Sequence, residues 1–102
     1  MRNRAGIILI EEDKLALIER HRGGLHYFIF PGGGMDEGES EEQAAIREAE
    51  EELGIVVEII QKAAELTRPS GRQFYFLVRH VSGKFGTGTG EEYGEYNPNY
   101  GT

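Results

Sequence analysis

The spacing of apolar and polar positions changes along the chain, and each change marks an element. Ala5–Ile10 is an almost unbroken apolar run of strand length. Glu11-Glu12-Asp13 interrupts it as a polar turn, and Leu15 and Leu17 resume the strand pattern, so Met1–Arg20 reads as a hairpin. His21–Leu25, which contains Gly23-Gly24, reads as a loop, and Tyr27–Phe30 as a short aromatic and β-branched strand. Pro31 and Gly32-Gly33-Gly34 end that strand, and the loop continues through Met35–Glu39.

At Ser40 the period shifts to that of a helix. Ser40 with Gln43 three residues on forms the capping-box pattern, which predicts a helix from about Glu41 to Leu53, and Gly54 is placed to end it in the left-handed conformation. At about 100° per residue, Glu48, Glu51 and Glu52 share one face with Glu41, while Ile46, Ala49 and Leu53 form the expected core stripe. Neighbouring like charges on a helix cost a few tenths of a kcal/mol per pair, and acids near the C-terminal end also oppose the helix dipole. Two explanations stand at this point. Either water and salt screen a solvated acidic face, or the carboxylates hold a hard divalent cation, which prefers oxygen ligands. After the helix, Ile55–Ile60 and Gln73–Val81 are strand-like, with Pro69-Ser70-Gly71 as the turn of an antiparallel pair. In the second of these, Phe74, Phe76 and Val78 alternate with Tyr75, Leu77 and Arg79. Residues 83–102 hold six of the 15 glycines and three of the five tyrosines, and read as a long Gly/Tyr-rich loop.

Composition narrows the classes. The 102 residues, 38% hydrophobic and 28% charged, suit one domain over 1–102 with a modest core. No apolar run approaches the ~20 residues needed to span a bilayer, so no membrane partner is expected. The chain has no cysteine, which excludes thiolate metal sites and fits a reducing, cytoplasmic location. The net charge is −7, and no Lys/Arg cluster forms the basic face that duplex nucleic acid requires. A protein this acidic that takes a phosphorylated ligand needs positive charge from elsewhere, and a divalent metal is the natural supplier.

The spacing around the helix decides between the two explanations. Gly33, five residues, Glu39, seven residues and then Arg47-Glu48-Ala49-Glu50-Glu51-Glu52-Leu53-Gly54-Ile55 resembles the full signature of the Nudix hydrolase (MutT-like) family, with every fixed position occupied. The preceding Phe30-Pro31-Gly32-Gly33-Gly34 is similar to the family's approach to that signature. The resemblance implies an α/β fold: a mixed β-sheet with the signature helix on one face, within an α/β/α sandwich. Its usual last strand and C-terminal helix are expected to be missing from this chain, which would leave a sheet face for a second copy to cover as a homodimer. It also implies Mg²⁺- or Mn²⁺-dependent hydrolysis of a nucleoside diphosphate linked to another group, with a small-molecule nucleotide as the partner. A non-catalytic nucleotide or nucleotide-sugar sensing module is the alternative, although such modules typically lose signature residues and this chain keeps them all.

By that resemblance Glu48, Glu51 and Glu52 are the expected metal ligands, and Glu48 or Glu52 is the candidate general base. The Gly33 carbonyl is a further ligand candidate, Glu39 would support the ion directly or through water, and Arg47 would orient the glutamates by hydrogen bonds. Outside the signature, Arg20 and Arg22, beside His21, are candidates for the ligand's phosphates, and Tyr27, Phe28, Tyr93 and Tyr96 for stacking on a base. Glu92, with Glu91 and Glu95, is a candidate for an extra carboxylate at the substrate. His80 continues a strand pattern and reads as structural. Two other motifs fail: Gly86-Thr87-Gly88-Thr89-Gly90 runs into Glu91 where a dinucleotide loop needs glycine, and Gly83-Lys84 is followed by Phe85 where a phosphate loop needs Ser or Thr.

Overall fold

Strand alternation and two tight turns organise the chain into two sheets with a helix on the larger one. The computed structural model describes residues 2–84 and the backbone of residues 96–97. In chain order the elements are β1 (Arg4–Glu11), β2 (Lys14–Leu15), β3 (Leu17–Arg22), β4 (Leu25–Ile29), β5 (Gly32–Gly34), α1 (Glu41–Leu53), β6 (Ile55–Arg68), β7 (Gly71–Gly83) and β8 (Tyr96–Asn97). The larger sheet runs β2-β1-β7-β6, with β5 also paired to β1, and the smaller one runs β4-β3-β8. The pairing β1–β7 is parallel and the others are antiparallel, so the larger sheet is mixed.

The core follows the period of two. Ala5, Ile7 and Leu9 of β1, Phe74, Phe76 and Val78 of β7, and Ile55 and Val57 of β6 are buried against Ala44, Ala45, Ala49 and Leu53 of α1. The expected alternation of β7 therefore describes the real strand. The helix has the expected bounds. Ser40 Oγ accepts the Gln43 amide at 3.1 Å, Gln43 Oε1 accepts the Ser40 amide at 2.9 Å, and Gly54 closes the helix at φ 76°.

Four expectations need correction. The hairpin over Met1–Arg20 is only two residues deep in its second strand. The chain pairs Glu11 with Lys14, then leaves the larger sheet at buried Ala16, and β3 goes on to form the smaller sheet. His21–Leu25 is not a loop: only Gly23-Gly24 lies outside the strands. Their φ values of 57° and 80° make the two-residue turn that suits a right-twisted hairpin. Gly32–Gly34 is a strand, not the end of one. A Cβ on Gly32 would lie 2.5 Å from the Ala5 carbonyl oxygen, so only a side-chain-free segment can pair this closely with β1. In the tail, Gly83 still belongs to β7 and Tyr96–Asn97 pairs with Leu17 and Ile18 of β3. The pair β6–β7 is also longer than its apolar pattern suggests, because register shifts after Val56, Ile59 and Lys62 disrupt the alternation of β6.

His80 of β7 ties this sheet together. Its Nδ1 lies 2.8 Å from Glu11 Oε1 and its Nε2 lies 2.9 Å from the Gly83 carbonyl oxygen. Burial works against its charge, but the bonds to Glu11 and Gly83 outweigh it and hold the imidazole pKa above its ordinary value. Two acceptors around one ring require both nitrogens to donate, which is the charged form. A raised folded-state pKa contributes stability that is complete below the unfolded value and is lost as the pH rises through the folded one. His80→Ala is therefore expected to destabilise the protein more at pH 6 than at pH 9, as measured by urea denaturation at both values.

Candidate active site

The buried face of α1 keeps Ala49 and Leu53 of the expected stripe but takes in two glutamates and leaves out Ile46. Ile46 is 36% exposed and lies outside the core stripe, whereas Glu48 and Glu52 are buried at 9% and 4% exposure. The reason is size. Ala44, Ala45 and Ala49 have no bulk, so the helix lies close to the sheet, and the side chains between them are directed at the glycine strand. A Cβ on Gly33 would fall 2.6 Å from the Glu48 carboxyl carbon, so the carboxylate occupies the space that the missing side chain leaves. Glu52 Oε1 accepts the Gly32 amide at 2.6 Å.

Arg47 connects the parts. Its Nε donates to Glu39 Oε2 at 2.7 Å, and its Nη1 to Glu48 Oε2 at 3.0 Å and Glu51 Oε1 at 3.1 Å. Its Nη2 donates to the Gly34 carbonyl and to Glu39 Oε1, each at 3.0 Å. A guanidinium has five N–H donors, and here all five are used. Glu39 also accepts the Asp36 amide at 2.9 Å, so both of its oxygens are turned to the guanidinium and the loop backbone.

The same charges produce opposite effects on the acids. The bonds from Arg47, aided by the Asp36 amide, bring the Glu39 pKa down to about 2, while Glu39 chiefly raises that of Arg47. Burial raises Glu48 despite Arg47 beside it. Burial also takes Glu52 to about 7, against the Gly32 amide and the fields of Arg20 and Arg4. Glu48, Glu51 and Glu52 thus offer only oxygen donors along one helix, and the two buried ones resist being charged alone. Such a set fits a hard divalent cation such as Mg²⁺.

The structure brings Glu39, Arg47, Glu48, Glu51, Glu52 and the backbone of Gly32–Gly34 together. Arg20 lies near enough for its charge to act on Glu52, and it is paired across the strands with half-buried Tyr27. Arg22 is exposed beside the β3–β4 turn, and Phe28 is exposed on β4. Glu92, Glu91, Glu95 and Tyr93 lie outside the described residues, as does the side chain of Tyr96. Sequence reasoning missed three contributors: the Gly32 amide, the Gly34 carbonyl and Arg4. Arg4 pairs with Gly34, and its charge acts on both Glu48 and Glu52. The only local signal was a basic N-terminus, and nothing within it announces the pairing with residues 30 positions away.

A mixed sheet bearing one acid-rich helix over a glycine strand is the architecture of NUDIX domains. The NUDIX family profile matches residues 1–96, and the chain belongs to that family. It is 38% identical over 84 residues to an RNA pyrophosphohydrolase from Sphingopyxis alaskensis, an alignment covering 78% of this chain and 49% of that protein. It is 48% identical over 54 residues to an 8-oxo-dGTP diphosphatase from Haemophilus influenzae, covering 51% and 40%. The crystal structure of a NUDIX hydrolase from Nitrosomonas europaea matches the fold with a TM-score of 0.79 at 26% identity, covering 94% of this chain and 55% of that one. The chain therefore spans about half, or less, of the length of these curated relatives.

The raised Glu52 pKa has a measurable consequence when divalent ions are chelated. Between the ordinary value of 4.5 and about 7, folded Glu52 keeps a proton that the unfolded chain has lost. Stability therefore falls as pH rises through that window, by about 3 kcal/mol in all. Urea melts in EDTA are expected to show lower stability at pH 8 than at pH 5. Glu52→Gln, which stays neutral throughout, should shrink that difference.

Proposed function

We propose that the chain catalyses hydrolysis of the pyrophosphate linkage in a nucleoside diphosphate derivative, using Mg²⁺ or Mn²⁺ held by Glu48, Glu51 and Glu52 with the Gly33 backbone as a further ligand. The observation that carries this reading is the burial of Glu48 and Glu52 on one helix against Gly32 and Gly33. Solvated acids do not need such packing. When bound, the cation would polarise phosphate oxygens, acidify water and neutralise developing charge.

The chain's own residues do the rest. Arg47 fixes one oxygen each of Glu48 and Glu51 and is itself fixed by Glu39, so the donor set is oriented before any ligand arrives. Glu39 is therefore read as the anchor of Arg47. Glu52 is held through Oε1 by the Gly32 amide, which leaves Oε2 to accept a proton from the attacking water. Glu48, buried on the same helix, is the other candidate for the base. Arg20, whose charge reaches Glu52 from the smaller sheet, is a candidate to meet substrate phosphate. The relatives' names make RNA and 8-oxo-dGTP the first substrates to assay, alongside other nucleoside diphosphate derivatives.

Glu52→Gln is expected to lower turnover at least roughly a hundredfold while the circular dichroism spectrum stays native. Gly33→Ala should lower activity and weaken Mg²⁺ binding together, since its methyl group displaces the Glu48 carboxylate. Assays of released phosphate or pyrophosphate across the substrate panel with Mg²⁺ check both. Nucleotide binding without product would replace this reading with that of a sensing module.

A further inference from the structure

We infer that the β3–β4 hairpin carries a second cation site, made by Glu19, His21 and His26 and suited to a borderline divalent ion such as Zn²⁺. His21 and His26 stand directly opposite in the antiparallel register. Glu19, two residues before His21, projects from the same face. The imidazole rings are nearly parallel, 9° apart with centroids separated by 4.4 Å. Both Nε2 atoms turn to one carboxylate oxygen: that of His26 touches Glu19 Oε2, and that of His21 lies 3.7 Å from it. The three ligand atoms all lie within 4.8 Å of one another.

Ligand atoms bound to tetrahedral Zn²⁺ at about 2.0–2.2 Å sit roughly 3.4 Å apart, so closing the site needs only side-chain adjustments. The rings are about half exposed, so an ion can reach them from solvent. The backbone is already fixed, because the two-residue Gly23-Gly24 turn sets the register. Two imidazole nitrogens and one carboxylate favour Zn²⁺, Co²⁺, Ni²⁺ or Cu²⁺ over Mg²⁺, unlike the all-oxygen set on α1. Three protein ligands leave a coordination position open. An ion here would clamp β3 to β4, the strand that leads through Pro31 into the glycine segment holding Glu52.

The test is titration of the whole chain with Zn²⁺ by calorimetry and with Co²⁺ by visible absorption and histidine ring NMR, all in the presence of excess Mg²⁺. The chain has three histidines, and His80, held by Glu11 and Gly83, serves as the internal control. The expected result is one equivalent bound, resonances of His21 and His26 shifted with His80 unmoved, and a higher melting temperature with Zn²⁺. His21→Gln and His26→Gln should each weaken Zn²⁺ affinity at least roughly tenfold, whereas Glu52→Gln should not. Unchanged affinity in the His21→Gln/His26→Gln double variant, loss of binding in Glu52→Gln, or unmoved His21 and His26 resonances in the wild-type protein would each overturn the proposal.

Discussion

Burying two carboxylates under a helix is the constraint to which the rest of the molecule is fitted. Ordinarily such groups face water, and desolvating either one favours its neutral form. Here Glu48 and Glu52 lie between α1 and the glycine strand, and the surrounding sequence makes that placement possible. Alanines at 44, 45 and 49 bring the helix close, Gly33 leaves space for the Glu48 carboxylate, the Gly32 amide holds Glu52, and Arg47 commits its whole guanidinium to holding the helix acids, the loop and the Gly34 carbonyl in one arrangement. Glu48 and Glu52 thus face inward, while Glu51 stays about half exposed at the edge of the helix.

Neutralisation within this arrangement is uneven. Arg47 spends two bonds on Glu39, one each on Glu48 and Glu51, and none on Glu52. The carboxyl groups of Glu39 and Glu52, 13 residues apart in the chain, are consequently spread from about 2 to about 7. The difference lies in the environment, since both are glutamates: one sits in a charged fork, the other against apolar packing with a single backbone amide. Glu39 is thereby fixed as an anion, while burial makes Glu52 favour its neutral form when no cation is present.

What the sequence made legible was local. The capping box, the helix bounds, the Gly54 terminator and the β7 alternation each depend on residues within one turn or one strand, and all have the expected form. The signature spacing picked out acids that the structure gathers around Arg47 and the glycine strand for the same reason, because it spans a single loop and helix. The misses are non-local. That Gly32–Gly34 is a strand depends on β1 being beside it, and that β3 enters another sheet depends on a departure at Ala16 which no periodicity encodes. Helical angle places Ile46 beside Ala49 and Leu53, yet it is 36% exposed. Helix burial was instead decided by which face could approach a glycine strand, and that face carries glutamates.

The departure at Ala16 also explains how two kinds of chemistry coexist in a small fold. Had the first hairpin continued, Arg20 and the histidines would have extended the larger sheet. By leaving it, the chain builds a second sheet that returns through Pro31 to β1, so Arg20 acts on Glu52 from a different scaffold than the helix does. Charge of opposite sign thereby reaches the buried acid from two independent frames: Arg4 on the larger sheet and Arg20 on the smaller. Burial is the largest influence on Glu52, and the two arginines oppose it from different sheets.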